Sequence, residues 1–188
     1  MHLLIYGSKE FAQTVTDLLH DCGHQAAGLV DDYATGPGIV GTFDTAIRRY
    51  PPSEFGFAVA IGYSNLPARR KVGQRIHAAG YRMPALVHPR AYVADTAHLG
   101  QGSMVMAGAI VDTRATIGEL GVVWPGACIN HDSIIGENTF VSPNAIVCGC
   151  SRIGADSFIG AGAAIRDHCE LPAGSFVPML QRYTGGRQ

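Results

Sequence analysis

From Val87 to Val177 a branched aliphatic residue returns at every sixth position, sixteen times without an exception. The track runs Val87, Val93, Leu99, Val105, Val111, Ile117 and onward to Leu171 and Val177. A second track follows it four residues later and holds small side chains, from Ala91, Ala97 and Ser103 to Cys169 and Ser175. A helix needs apolar spacings of three and four, and a half-buried strand needs alternation. Period six fits neither. With glycine after the aliphatic at Gly100, Gly118, Gly136, Gly154 and Gly160, it predicts a hexapeptide β-helix. Three hexapeptides close one triangular coil, so the track predicts roughly five coils. The aliphatic points inward mid-strand, the small residue points inward near a corner, and glycine lets the backbone bend. Coils pair at about 4.8 Å, which makes residues eighteen apart in the repeat spatial neighbours.

The first 82 residues read differently. His2 to Tyr6 is an apolar strand ending at Gly7, and Ser8 is placed to cap a helix. That helix carries Phe11, Ala12, Val15, Leu18, Leu19 and Cys22 on one face and stops at Gly23. Ala26 to Val30 is a second strand, closed by Asp31-Asp32 and followed by a turn over Thr35 to Gly38. Residues 42–50 suit a short helix, and Phe57 to Ile61 a buried third strand ending at Gly62. Asn65 to Ala79 is a second long helix, with Leu66, Val72 and Ile76 inward. Strands alternating with helices predict a small parallel sheet. The chain thus divides into residues 1–82 and 83–188, joined without a long linker.

Composition narrows the function. Charged residues make up 15% and the net charge is −1, with no basic block, so nucleic acid is excluded as a partner. No apolar run is long enough to span a membrane, and the N-terminus reads as a first strand rather than a signal peptide. Five cysteines, an odd number, fit a reducing cytoplasm. Cys148 and Cys150 are read as core or surface thiols rather than as a metal site.

Two places hold candidate chemistry. A parallel sheet binds its ligand at the carboxyl ends of its strands, here Gly7-Ser8-Lys9, Asp31-Asp32 and Gly62-Tyr63. A helix N-terminus after the first strand can hold a phosphate, and a carboxylate can accept from a ribose or a base. In the repeat the strongest polar exception is His131, two residues after Ile129. A neutral imidazole suits a general base, and Asp132 can orient it or hold its charge. Stacking puts Thr113 and Gly149 on either side of His131, and Arg114 and Cys150 on either side of Asp132. Gly149 would leave room for a ligand beside the ring, and Asp132 could simply pair with Arg114. His88, His98 and His168 are isolated and read as surface residues.

The chain resembles the bacterial sialic acid O-acetyltransferases and nucleotide-sugar N-acetyltransferases, the NeuD-type family. The resemblance lies in LLIYG (3–7), LVDDY (29–33) and VAIG (59–62), then in LVHPRAYV (86–93), INHDSIIG (129–136) and SPNAIVCGCSRIG (142–154). It implies an α/β, Rossmann-like N-terminal domain that binds a sugar nucleotide, followed by a left-handed parallel β-helix acyltransferase domain. It implies that His131 is the catalytic base, supported by Asp132. It assigns Gly7, Ser8, Lys9, Asp31, Asp32 and Gly62 to the nucleotide sugar. Acetyl-CoA, the co-substrate, would lie between subunits of a homotrimer, against Gly149, Ala161 and Gly162, with no metal. The chain departs from the family in its glycine-poor first turn, in Phe140 where a second histidine often stands, and in a C-terminus about a coil short. The expected activity is N-acetylation of an amino sugar in surface glycan synthesis. Alternatives are sugar O-acetylation, or a non-catalytic or metal-binding β-helix protein. Val122, Trp124 and Phe140, apolar and off the inner tracks, are the expected trimer contacts.

Overall fold

The computed structural model describes residues 1–185; the last three residues of the expected second domain lie outside them. The chain forms two compact units, one over Met1–Leu86 and the other from Val87 on.

The first unit is a parallel sheet. Strands β1 (His2–Tyr6), β2 (Gln25–Val30), β3 (Ile39–Gly41) and β4 (Phe55–Val59) lie in the order β3-β2-β1-β4. Helix α1 (Glu10–Asp21) buries Ala12, Val15, Leu18 and Leu19, the face its spacing predicts. Helix α2 (Phe43–Arg49) starts at Thr42, whose hydroxyl accepts from the Thr45 N–H. Helix α3 (Leu66–Ala78) starts at Asn65, whose side chain accepts from the Ala68 N–H. Four readings of the sequence need correction. Ser8 does not cap α1: its hydroxyl donates to Asp31 at 2.6 Å, and the N-cap is Lys9 without a side-chain cap. Strand β4 begins two residues earlier than Phe57. The edge strand β3 was not expected. On α3 the buried line is Arg69, Gly73 and Ile76, while Leu66 and Val72 are half-buried.

The second unit is the left-handed β-helix, with sheets of five, six and six two-residue strands, hence five full coils and most of a sixth. All strands are parallel, and partners are eighteen apart, as in Val123 with Val141 and Ile129 with Val147. All sixteen aliphatics contribute to the core, the first three partly buried and the rest buried. The track also continues one step further than expected. Tyr183 takes the next inner position, and Arg182–Tyr183 pairs with Ala164–Ile165. The C-terminus is therefore less short than the sequence implied.

The turns are built differently from the expectation. The left-handed residue is the third after the aliphatic, as at Arg114 (φ 56°), Asp132 (φ 59°), Asn144 (φ 55°) and Cys150 (φ 58°). The glycine directly after the aliphatic does not supply the bend. It is required because the next coil passes too close for a Cβ. One added at Gly118 would lie 2.6 Å from the Glu137 nitrogen.

The three outward faces differ. On one, Met104, Val122 and Phe140 are already buried within the single chain, so Val122 and Phe140 are not free for a trimer contact; Trp124, at the neighbouring turn, is half-buried. The second presents His98, Thr116, Arg152 and Glu170. The third leaves Tyr92, Ile110 and Ile146 exposed, with Cys128 and Ala164 half-buried between and beyond them.

Candidate functional site

In the β-helix the coil-to-coil register assembles a charged cluster on one edge. His131 and Asp132 occupy the turn after Cys128–Ile129. The Asp132 N–H donates to the Thr113 carbonyl, and the Cys150 N–H donates to the His131 carbonyl, both at 3.0 Å. These bonds tie the turn to the coils on both sides. His131 Nδ1 lies 2.9 Å from Asp132 Oδ2. The network assigns the proton to Nδ1, since a carboxylate only accepts, and this leaves Nε2 as the ring's acceptor. Arg114, one coil earlier, grips the same carboxylate with both arms of its fork. Its Nε reaches Oδ1 at 2.7 Å and its Nη2 reaches Oδ2 at 2.8 Å. The Arg114 guanidinium, and then the His131 ring, hold Asp132 well below the usual carboxylate range, so it is ionised at neutral pH. Asp132 therefore pairs with Arg114 and touches His131 at the same time.

Gly149 lies directly against the ring. A Cβ added there would be 2.7 Å from both Cε1 and Nε2 of His131. The space left by the absent side chain is filled by the imidazole itself, a correction to the expectation of open room. Gly149→Ala should keep the fold, because the residue's φ is not in the left-handed region. It should displace the ring, and a displacement near 1 Å can lower turnover by about 10²-fold. Steady-state kinetics beside a melting curve checks this; unchanged kcat at unchanged stability counts against it.

Gly149 and Cys150 form the turn after Ile146–Val147, which brings Cys150 to the same edge as His131 and Asp132. One ligand atom each from His131, Asp132 and Cys150 lies within 4.8 Å of the others. The Arg114 fork engages both oxygens of Asp132, and its fixed positive charge opposes a cation at that place. His168, expected to be isolated, has a carboxylate neighbour: its Nε2 is 4.0 Å from Asp167.

The fold does not bring every expected residue to His131. Ala161 and Gly162 sit on a different edge of the prism, at the turn after Phe158–Ile159. The Gly162 N–H is taken by the Pro143 carbonyl at 3.0 Å, and a Cβ added at Gly162 would lie 2.9 Å from Leu180 Cδ2.

In the first unit, the strand ends gather Gly7, Ser8, Asp31 and Asp32. Gly7 (φ 119°) has no room for a Cβ, which would meet the Ala60 carbonyl oxygen at 2.7 Å. Asp31 accepts from the Ser8 hydroxyl and from the Tyr33 and Ala34 N–H groups. Asp32 accepts from the Tyr6 hydroxyl at 2.7 Å, the Phe43 N–H at 2.7 Å and Arg75 at 2.6 Å. Burial pushes Asp32 up, but these donors outweigh it and its carboxyl is held below the usual range. The same burial and the bond to Asp32 push the Tyr6 hydroxyl far up. Arg75 also pairs with Asp44 and lies 4.2 Å over the Phe43 ring. Gly62 precedes the short 3₁₀ turn Tyr63–Asn65, with nothing within 4 Å of where a Cβ would be. Sequence reasoning missed Tyr6 and Arg75, whose partners are twenty-six and forty-three residues away, whereas the Arg114–Asp132 pair, eighteen apart, follows from the repeat.

A parallel α/β unit followed by a hexapeptide β-helix with a histidine–carboxylate pair on its turn defines a class of acyl-transfer protein. Residues 2–76 match the family described as the PglD N-terminal domain, and residues 132–167 match the bacterial transferase hexapeptide family, described as six repeats. Among solved structures the chain is similar to the acetyltransferase domain of PglB from Neisseria gonorrhoeae FA1090. The identity is 28%, the TM-score 0.88, and the match covers 98% of this chain and 91% of that one. The same domain in complex with acetyl coenzyme A matches at 25% identity and TM-score 0.73, over 96% of this chain and 97% of that one. A histidine-substituted variant of perosamine N-acetyltransferase from Caulobacter crescentus, in complex with CoA and GDP-perosamine, is also similar. It shares 26% identity and a TM-score of 0.77, over 96% of this chain and 94% of that one. No curated protein matches the chain. The two matches and these structures support a NeuD/PglD-type protein, and the structures the chain resembles are acetyltransferases.

Proposed function

We propose that the protein transfers the acetyl group of acetyl-CoA to the amine of a nucleotide-linked amino sugar, as a cytoplasmic homotrimer serving surface glycan synthesis. The observation that carries this reading is the His131–Asp132 pair, with the imidazole edge laid over Gly149. The acceptor nitrogen attacks the thioester carbonyl carbon and the new N–C bond forms. His131 Nε2 takes the proton that the nitrogen sheds. The C–S bond then breaks, and the imidazolium returns the proton to the leaving sulfur, giving the amide and free CoA thiol. Asp132 orients the ring and stabilises its charged form. The Gly149 amide is the proposed donor to the carbonyl oxygen as negative charge builds there. Two relatives support the substrates: one holds acetyl coenzyme A, the other CoA and GDP-perosamine.

The first unit would hold the nucleotide at Gly7, Ser8, Lys9, Asp31, Asp32 and Gly62. Helix α1 starts directly after this turn, and a helix N-terminus favours the negative charge of a diphosphate. With their oxygens engaged, Asp31 and Asp32 would chiefly fix the loop around the ligand.

A trimer accounts for two observations. Gly149 and the Ala161–Gly162 turn lie on different edges of one prism, and an acetyl-CoA groove using both forms between copies. The stripe of Tyr92, Ile110 and Ile146 is an exposed apolar face, which closed symmetry would cover. Ile146→Glu should then give a folded monomer with little activity. Light scattering with circular dichroism reads this, and a wild-type monomer at micromolar concentration would sink the trimer and the intersubunit groove together.

The reading as a whole is tested by CoA release and product mass with UDP-, dTDP- and GDP-linked 4-amino sugars. One of these amines should be acetylated. Turnover on sugar hydroxyls alone would move the protein to the O-acetyltransferases, and acetylation of nothing in the panel would overturn the proposal.

A further inference from the structure

We infer that Arg114 is a positioning residue for acetyl transfer: by occupying both oxygens of Asp132, it limits how strongly that carboxylate holds a proton on His131, and so keeps the imidazole free to accept one. The inference rests on the reading of His131 as the base.

The geometry is that of a shared acceptor. Oδ2 of Asp132 receives both His131 Nδ1, at 2.9 Å, and Arg114 Nη2, at 2.8 Å. Oδ1 is taken by Arg114 Nε at 2.7 Å. Arg114 is itself fixed at its backbone. It has left-handed φ, and its N–H donates to the Thr96 hydroxyl at 3.1 Å, one coil further back. Both ends of the pair are therefore turn residues in register, one coil apart.

The charges decide the consequence. A lone carboxylate beside an imidazole favours the imidazolium, and an opposite charge at such a distance raises a histidine's pKa by about 1–3 units. A general base must be neutral at its working pH, so that stabilisation works against catalysis at neutral pH. With Arg114 in place the ring faces a neutral ion pair instead. Arg and Asp together still orient the ring, because the bidentate fork sets the plane of the carboxylate. The other groups facing this edge are Asp112 on the Arg114 coil, Cys148 and Cys150 on the coil after His131, and the Asp167–His168 pair one coil beyond that. Asp112 and Cys150 also feel the Arg114 charge, so the Asp132→Asn background below isolates the part that acts through Asp132.

The experiment is the pH dependence of kcat/KM for the full-length enzyme, with an amino-sugar acceptor it turns over, in wild type, Arg114→Gln and Arg114→Lys. Arg114→Gln removes the charge and should move the acid limb of the profile up by about 1 pH unit. Arg114→Lys keeps the charge and loses the fork, so its limb should stay near that of the wild type while its plateau falls. In an Asp132→Asn background, Arg114→Gln should no longer move the limb. An acid limb that stays in place in Arg114→Gln, with activity lowered equally at all pH, would show a merely structural residue and overturn the inference. NMR titration of the His131 ring in wild type and Arg114→Gln reads the same quantity without turnover; an unmoved titration midpoint also overturns it. His131→Ala separates the two readings. If it keeps full turnover the base assignment fails, whereas a dead His131→Ala with an unmoved Arg114→Gln limb sinks only the role of Arg114.

Discussion

Replacing His131 by alanine should lower kcat by about 10²- to 10⁴-fold, the usual worth of a positioned general base. The fold should survive, because the side chain is 53% exposed and lies outside the inner tracks. The loss should appear at every pH. Asp132→Asn should be milder: the amide can still accept from Nδ1 in part, though it no longer carries the charge that steadies the imidazolium. The double variant should be little worse than His131→Ala alone, since groups acting as a unit are not additive. KM for acetyl-CoA should change less than kcat in all three. Near-wild-type turnover of His131→Ala on every acceptor would mean that the attacking amine arrives free and the β-helix only holds the two substrates together.

This prediction was legible before any coordinates because a β-helix turns sequence distance into spatial distance. Residues eighteen apart stack, so the closeness of Arg114, Asp132 and Cys150 and of Thr113, His131 and Gly149 followed from counting alone. The inner aliphatic track was legible for the same reason: a narrow prism repeats one demand at every strand. It was lost only at Tyr183, where the open last coil admits an aromatic into the inner position. In the α/β unit the strands and helices could be read from local periodicity, but the pairing of their ends could not. Ser8 has the residue type and position of a helix cap, and what diverts its hydroxyl is Asp31, twenty-three residues away. Asp31 and Asp32 look like free ligand acceptors in a string of letters. The fold gives their oxygens to Ser8, Tyr6, Arg75 and nearby backbone N–H groups. Val122 and Phe140 look like surface apolar residues for the same reason: burial on an outward face is a tertiary fact.

Gly118→Ala should destabilise the β-helix by on the order of 3 kcal/mol, the upper range for forcing extra volume into a packed site. The sign is the informative part. At a site with room, Gly→Ala stabilises by about 0.4–1 kcal/mol, because alanine restricts the unfolded chain. Gly118 has no left-handed φ, so its backbone alone would accept alanine. The obstacle is the next coil: the new Cβ would lie 2.6 Å from the Glu137 nitrogen and 2.8 Å from the Gly136 carbonyl carbon. These are backbone atoms and cannot turn aside. Relief requires the coils to part along this edge, against the Gly118 N–H bond to Ile135 and the Gly136 N–H bond to Ile153, each 2.8 Å. The same column holds Gly100, Gly136 and Gly154, so the strain cannot be passed to a looser neighbour. Gly36→Ala is the control, with nothing within 4 Å of its Cβ position and no left-handed φ. Its stability should stay within about 1 kcal/mol of wild type. At about 2–4 °C per kcal/mol, Gly118→Ala should melt roughly 6–12 °C lower than wild type. A Gly118→Ala variant that melts at or above the wild-type temperature would mean that these glycines serve chain flexibility after all, and that the coils have slack which the close approach at Gly118 denies.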